Sequence, residues 1–195
     1  MNALNLSGKN FEELLSLFFC EIADDDYYDV VARQLIKDYA ESVQSLIWHL
    51  SKKRLRAIIF GLGCSGDKKW RDILLKFVDS EEGLVAAEAL DALRNLDFFS
   101  YDLVLTHLHH ASPYVRSSAL RFAKKGLANQ ALAFLVDGLS DDDAIVRQSA
   151  LDELEGVATI HELHRVIPLL NDPDSGVRDA ARWLIDRINE APSIG

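Results

Sequence analysis

Apolar residues stand in columns along this chain. Leu74, Val104, Leu135 and Val166 fall at steps of 30, 31 and 31 residues. Leu75, Leu105, Val136 and Ile167 keep the same steps, and so do Val78, Leu108, Leu139 and Leu170. A second set follows each of these: Val85, Val115, Val146 and Val177, then Ala89, Ala119, Ala150 and Ala181, then Leu93, Ala123, Leu154 and Ile185. Steps of four and four inside each second set put its members on one face of a helix. A fixed period of this size marks stacked repeats. Each unit predicts a helix, a short turn and a second helix. The Ala column is small because two helices must approach closely there. No unit can bury its apolar stripe alone, so neighbours must stack.

Upstream the pattern is looser. Asn10-Phe-Glu-Glu13 predicts a capping box, with Leu14, Leu15, Phe18 and Phe19 forming one apolar face behind it. Asp24-Asp-Asp26 breaks that helix and caps a second one, which buries Val30, Val31, Leu35 and Ile36. A third helix is expected from about Ser42 to Leu50, and a fourth from Lys52 through Phe60, ended by Gly61, Gly63 and Gly66. Ser112-Pro113 and Asp172-Pro173 read as N-caps followed by a first-turn proline, with Asp141 in the same place. Gly126 and Gly156 sit where second helices should end. Pro168 lies inside a first helix and should kink it. No window alternates over several positions, so no sheet is expected. The domain reading is an N-terminal helical cap over 1–41 and a repeat array over 42–195, in units of about 42–66, 67–97, 98–127, 128–158 and 159–190.

The turn and second helix repeat as Leu-x-Asp-x-x-x-x-Val-Arg-x-x-Ala, clearest at Leu170–Ala181 and again at Leu139–Ala150. Val115-Arg116-Ser-Ser-Ala119 is a shorter copy, Val85-Ala86 lacks the Arg, and Leu55-Arg56 is fainter still. This pattern resembles the short HEAT-like repeat of the phycobilisome-lyase type, over about 67–190 well and 42–66 loosely. The resemblance implies an all-α, right-handed α-solenoid of about five helix pairs. It implies that second helices line a concave face and that the Arg ties to a turn Asp of a neighbouring unit. It also offers phycobilin lyase-like chromophore handling as one function.

Composition narrows the functions. The net charge is −10, with −1 over 1–70 and −9 over 71–195. An acidic array repels phosphate, which speaks against nucleic acid as partner and for a basic protein. No apolar run reaches the ~18 residues of a membrane span, and Met1–Phe11 carries no secretion signal, so the expectation is a cytoplasmic protein off the membrane, monomer favoured. Cys20 and Cys64 have no metal spacing and fit a reducing compartment as small apolar residues.

Arg116, Arg147 and Arg178, with Arg56 as a fourth candidate, form a column. It reads as a set of ties to Asp141, Asp142, Asp172 or Asp174, since guanidinium matches carboxylate bidentately. His107/His110 and His161/His164 are spaced to share a helix face, as a metal pair would. Their repeat offsets do not bring the pairs together, so no metal and no cofactor is expected. Lys52–Arg56 and Tyr27-Tyr28 read as a solvated helix start and as rings packed on their neighbours. No nucleophile elbow, phosphate loop or cysteine cluster occurs. The expected function is therefore non-catalytic protein binding on an acidic second-helix face, a toxin-neutralising immunity protein being one specific case. The candidate partner residues lie off the Val-Ala-Leu stripe: Glu88, Asp91, Ser117, Arg121, Gln148, Asp152, Glu155, Asp179, Trp183 and Asp186.

Overall fold

The computed structural model describes residues 6–21, 24–127 and 130–190, and among these all regular structure is helical. The architecture is all-α and of the α-solenoid class, built from packed helix pairs. It divides into two compact units, Met1–Phe98 and Phe99–Gly195.

Unit 1 contains α1 (Phe11–Phe19), α2 (Asp25–Gln44), α3 (Lys52–Cys64), α4 (Arg71–Leu74) and α5 (Gly83–Asn95), with 3-10 turns at Ile47–His49 and Lys68–Trp70. The capping box forms: the Glu13 amide donates to Asn10 Oδ1 at 3.0 Å and the Asn10 amide to Glu13 Oε2 at 2.8 Å. Asp24 caps α2 as expected, accepting from the Asp26 amide. The expected third helix does not form. Instead α2 runs on to Gln44 across a break at Tyr39, whose backbone is non-helical. The cause is side-chain anchoring: the Tyr39 hydroxyl donates to the Lys9 carbonyl and its ring lies 5.4 Å from that of Phe11.

α3 overturns the expected glycine stop. It passes through Gly61 and Gly63 and ends before Gly66, which takes a positive φ of 70°. The two interior glycines are thin spots where α3 packs between α2 and α5. A Cβ at Gly63 would stand 2.7 Å from Ala92 Cα, and one at Gly61 would stand 3.2 Å from the Ala32 carbonyl. Glycine costs a helix roughly 1 kcal/mol relative to alanine, and close helix contact offsets it here.

Unit 2 contains α6 (Tyr101–His107), α7 (Pro113–Leu127), α8 (Ala131–Gly138), α9 (Ala144–Leu154), α10 (Leu163–Val166) and α11 (Ser175–Glu190). α9 packs between α7 and α11, and the short helices α6 and α8 lie against α7. Val115, Ala119, Ala123, Val146, Ala150, Leu154, Val177 and Ala181 are all buried, as the columns require. Ile185 is only half-buried; Leu184 and Ile188 take its place in the core of α11. Among the first helices of both units the column Leu74, Val104, Leu135, Val166 is fully buried, whereas Leu105 and Ile167 of the next column are exposed. The next line lies at the edge of the packed face, with Leu75 and Val136 only half-buried, while Val78 and Leu139 of the third line are buried. Pro168 does not kink α10 but converts it, and the chain continues as a 3-10 helix over Ile167–Asn171.

Candidate interaction surface

Three kinds of charged arrangement compete for attention, and the structure separates them. The first is the Arg column of unit 2. Arg116 Nε and Nη2 donate to Asp141 Oδ2 and Oδ1 at 2.8 and 2.7 Å. Arg147 does the same to Asp172, both bonds at 2.8 Å. The third nitrogen of each guanidinium donates to two backbone carbonyls of its own turn: His110 and Ala111 for Arg116, Asp141 and Asp142 for Arg147. Each guanidinium thus ties its own turn to the turn of the following repeat. Burial works to raise Asp141, but the Arg116 bonds, the Asp143 amide and nearby guanidinium charge together hold it below the usual carboxylate range. The Arg147 bonds lower Asp172, and its acceptance of the Asp174 amide adds to this.

These turns also correct the caps. Asp141 and Asp172 are not the helix caps. Asp143 caps α9 through the Ile145 amide, and Asp174 caps α11 through the Gly176 and Val177 amides. In each Asp-x-Asp turn the first carboxylate takes the guanidinium of the preceding repeat and the second starts the helix. Arg178 keeps the two carbonyl bonds, to Asp172 and Pro173, but has no carboxylate in its fork among the described residues. Arg56 does not belong to this column at all. It bridges Asp29 of α2 at 3.2 Å and Glu88 of α5 at 3.1 Å.

The second arrangement is the expected partner face. In unit 1 two of its members are inward. Glu88 is largely buried against Arg56; burial pushes its carboxyl up to about 7, against the pull of that guanidinium. Asp91 pairs with Arg94 at 3.5 Å, one turn along α5. In unit 2 Ser117 is buried rather than outward, a correction with a clear cause: Arg121 lies over it. Arg121 donates to Ser117 and Ser118 Oγ at 2.8 Å and to Ser149 Oγ of α9 at 3.4 Å. Three serine hydroxyls thus seat one guanidinium in the α7–α9 seam.

The rest of the unit 2 set is accessible. Gln148 and Asp152 of α9 are exposed and Glu155 is half-exposed; Asp179, Trp183 and Asp186 of α11 are exposed. The two helices touch through Gln148, whose Oε1 would lie 2.8 Å from a Cβ at Gly176. Partial burial, followed by Glu153 and Glu155, raises the Asp152 carboxyl. Arg187 reaches Glu155 at 3.6 Å and stands 5.7 Å from the Trp183 ring centroid, while Arg182 pairs with Asp179. Trp183, 45% exposed, is a large aromatic amid charged groups.

The third arrangement is the Lys52–Arg56 run, and it is engaged. Arg54 donates to the Phe18 and Phe19 carbonyls at the end of α1 and pairs with Glu21 at 3.0 Å. Lys52 pairs with Glu82, and Lys53 lies 4.8 Å from the Tyr28 ring centroid. Tyr28 is buried and donates to the Cys20 carbonyl at 2.8 Å; Tyr27 donates to Leu17. Both cysteines are exposed, not packed as small apolar residues. Cys20 ends α1, and Cys64 opens onto a groove beside α2.

The histidines are engaged locally. His107 is buried with Nδ1 2.8 Å from the Leu103 carbonyl, and His110 Nδ1 accepts from the Ser112 amide at 3.0 Å. His164 Nδ1 lies 2.7 Å from the His161 carbonyl. Among the described residues no three His, Cys, Asp or Glu side chains converge as a metal site would require. No described helix is long and apolar enough to cross a membrane.

Comparison with known proteins agrees with this geometry. Residues 101–186 match the family model for HEAT repeats, which spans α6 to most of α11. No curated protein matches the sequence. One similar solved structure is described by the words "TOG-tubulin binding specificity promotes microtubule dynamics and mitotic spindle formation". It is 18% identical, with a TM-score of 0.38, covering 91% of this chain and 76% of that one. The repeats of residues 101–186 are of HEAT-like type.

Proposed function

We propose that this HEAT-repeat protein is a non-catalytic interaction module that holds a basic protein partner on the acidic faces of α9 and α11. The observation that carries the reading is the division of charge in unit 2. Arg116 and Arg147 are spent on the turns, while Gln148, Asp152 and Glu155 stand beside Asp179, Trp183 and Asp186 with their polar ends accessible. Accessible positions of a stacked array can vary with little cost to the core. An aromatic ring flanked by charged groups is the composition of an interface hot spot. Complementary charge would steer encounter with the partner more than it would add affinity. A protein that neutralises a basic toxin would be one instance of this class.

A photo-crosslinking amino acid at Gln148 or at Asp186, introduced into the protein in its native host, tests the placement. The expected adduct is one basic protein, captured from both positions and lost when salt is raised. Capture of the same protein from Leu105 on α6, and not from these two, would move the site to the first helices.

A further inference from the structure

The groove beside α2 in unit 1 has the makings of a site of its own, independent of the acidic face. Its volume is about 500 Å³, within the ~300–1,000 Å³ range of small-ligand pockets. Arg33 and Lys37 line one wall; Cys64, Asp67, Lys69 and Trp70 stand among the residues that close it. Gly61 brings α3 against Ala32 and Ile36 at its base. In a chain of net charge −10 this wall carries three cations to one carboxylate.

What makes the cations notable is that their natural partners have been taken. Asp29 stands four residues before Arg33, and Glu41 four residues after Lys37, the spacing at which helical ion pairs form. Neither pair forms. Asp29 accepts from Arg56 of α3, and Glu41 accepts from Lys69 at 2.8 Å. Lys69 also holds Asp67 at 3.3 Å, so its one ammonium is shared between Glu41 and the groove's own carboxylate, and neither carboxylate is engaged by Arg33 or Lys37. Arg33 lies 5.9 Å from the Phe60 ring centroid, which steadies the side chain and leaves its charge uncompensated. Among the described residues no carboxylate comes within ion-pair distance of Arg33 or Lys37. Burial raises the Cys64 thiol, against the pull of Arg33, so the thiol adds no negative charge to the groove. Glu88 and Asp29, the other carboxylates that act on Cys64, are held by Arg56.

We infer that this groove binds a small organic dianion, a phosphate monoester or a dicarboxylate, with its charged head on Arg33 and Lys37 and its apolar body against Ile36 and Trp70. Two uncompensated cations match two negative charges, and a guanidinium offers the bidentate fork that oxyanions fit. The apolar part of the floor selects against a bare inorganic ion.

The test is a two-dimensional NMR titration of the full chain with phenyl phosphate, with phthalate and with benzyl alcohol as the neutral control. The reporters are the Trp70 indole N–H and the amides of Ser65 and Lys69. One or both dianions should shift these signals saturably below about 10 mM, more tightly than inorganic phosphate, while benzyl alcohol leaves them unmoved. Preference between the two dianions assigns the head group. Arg33→Ala or Lys37→Ala should weaken binding about tenfold, and Arg33→Lys less than that. Both positions are exposed, so the variants should fold, and unchanged spectra away from the groove check it. Saturation by benzyl alcohol to the same degree, shifts that map elsewhere, alanine variants that bind like the parent, or no saturation by either dianion would overturn the inference.

Discussion

The two units use the same kind of helix pair and hold it together differently. In unit 2 the second helices are tied by guanidinium to the turn of the next repeat: Arg116 to Asp141 and Arg147 to Asp172, each through two parallel bonds. Among the described residues of unit 1 no such rung repeats. Arg56 joins α3 to Asp29 of α2 and Glu88 of α5, and Gly61 and Gly63 let the helix backbones approach closely. The regular unit spends cations on architecture at fixed positions and leaves acids accessible, among them Asp152 on α9 and Asp179 and Asp186 on α11. The irregular unit pulls Asp29 and Glu41 of α2 toward Arg56 and Lys69 and leaves Arg33 and Lys37 facing a groove. Regularity therefore decides where charge stays accessible in each unit.

The largest effect should come from breaking a rung. Arg147→Ala removes one partner of a pair whose side chains are 12% and 5% exposed. The cost should be about 3 kcal/mol, since an uncompensated carboxylate stays behind. Replacing Arg147 and Asp172 together by apolar residues of similar volume should recover most of that loss in urea unfolding. A single variant as stable as the parent would mean the rung is ornamental.

Next in size is a pH effect confined to unit 1. Burial pushes the Glu88 carboxyl of the folded protein up to about 7, above its ordinary 4.5. The folded state therefore holds that proton more tightly than the unfolded chain. The stability this contributes is complete below about pH 4.5 and is lost as pH rises through 7. Glu88→Gln should remove that dependence, a change of about 2 kcal/mol between pH 5 and 8, read from unfolding at both values. Equal pH slopes in the two proteins would return Glu88 to an ordinary surface ion pair.

A smaller loss is expected at Gly63. Alanine gains roughly 1 kcal/mol of helix propensity but drives a Cβ to 2.7 Å from Ala92 Cα, and overpacking costs about 1–3 kcal/mol. The net should be a loss of about 1 kcal/mol in thermal unfolding. A gain would show that α3 and α5 can move apart freely. The smallest effect belongs to Arg178→Ala, below about 1 kcal/mol, because the described residues place no carboxylate in its fork and only two carbonyl bonds are lost. Arg147 and Arg178 occupy the same column, so the ratio of their effects isolates the carboxylate rung from everything else the position does.

Much of this was legible from spacing. Val146, Ala150 and Leu154 are buried together because a three-column stripe admits one solution on a helix, and the Arg column pointed to a tie with Asp141, Asp142, Asp172 or Asp174, of which Asp141 and Asp172 take it. What spacing could not resolve was competition between partners. Asp29 sits at helical distance from Arg33, yet Arg56, 27 residues away, takes it. Glu88 and Ser117 were expected outward because they lie off the stripe, but Arg56 and Arg121 cover them. The roles of Asp141 and Asp143 within one turn were also inseparable by composition, since either can cap a helix. Gly61 and Gly63 misled because a helix stop and a close helix contact call for the same residue. The groove wall of Arg33 and Lys37 left no sequence signal, as its existence depends on where their helical partners went.

The central claim is that the accessible acids of α9 and α11 meet a basic partner. Its most direct test is the association rate of that partner with the parent and with the Asp152→Lys/Glu155→Lys double variant, measured across a range of salt. At ~0.15 M salt, where charge acts over about 8 Å, the variant should associate at least about tenfold more slowly. The two rates should converge as salt rises, while melting changes little, because surface substitutions usually shift stability within about ±0.5 kcal/mol. Equal rates at low salt, with the partner bound as tightly as before, would contradict the account and leave these carboxylates as solvation alone.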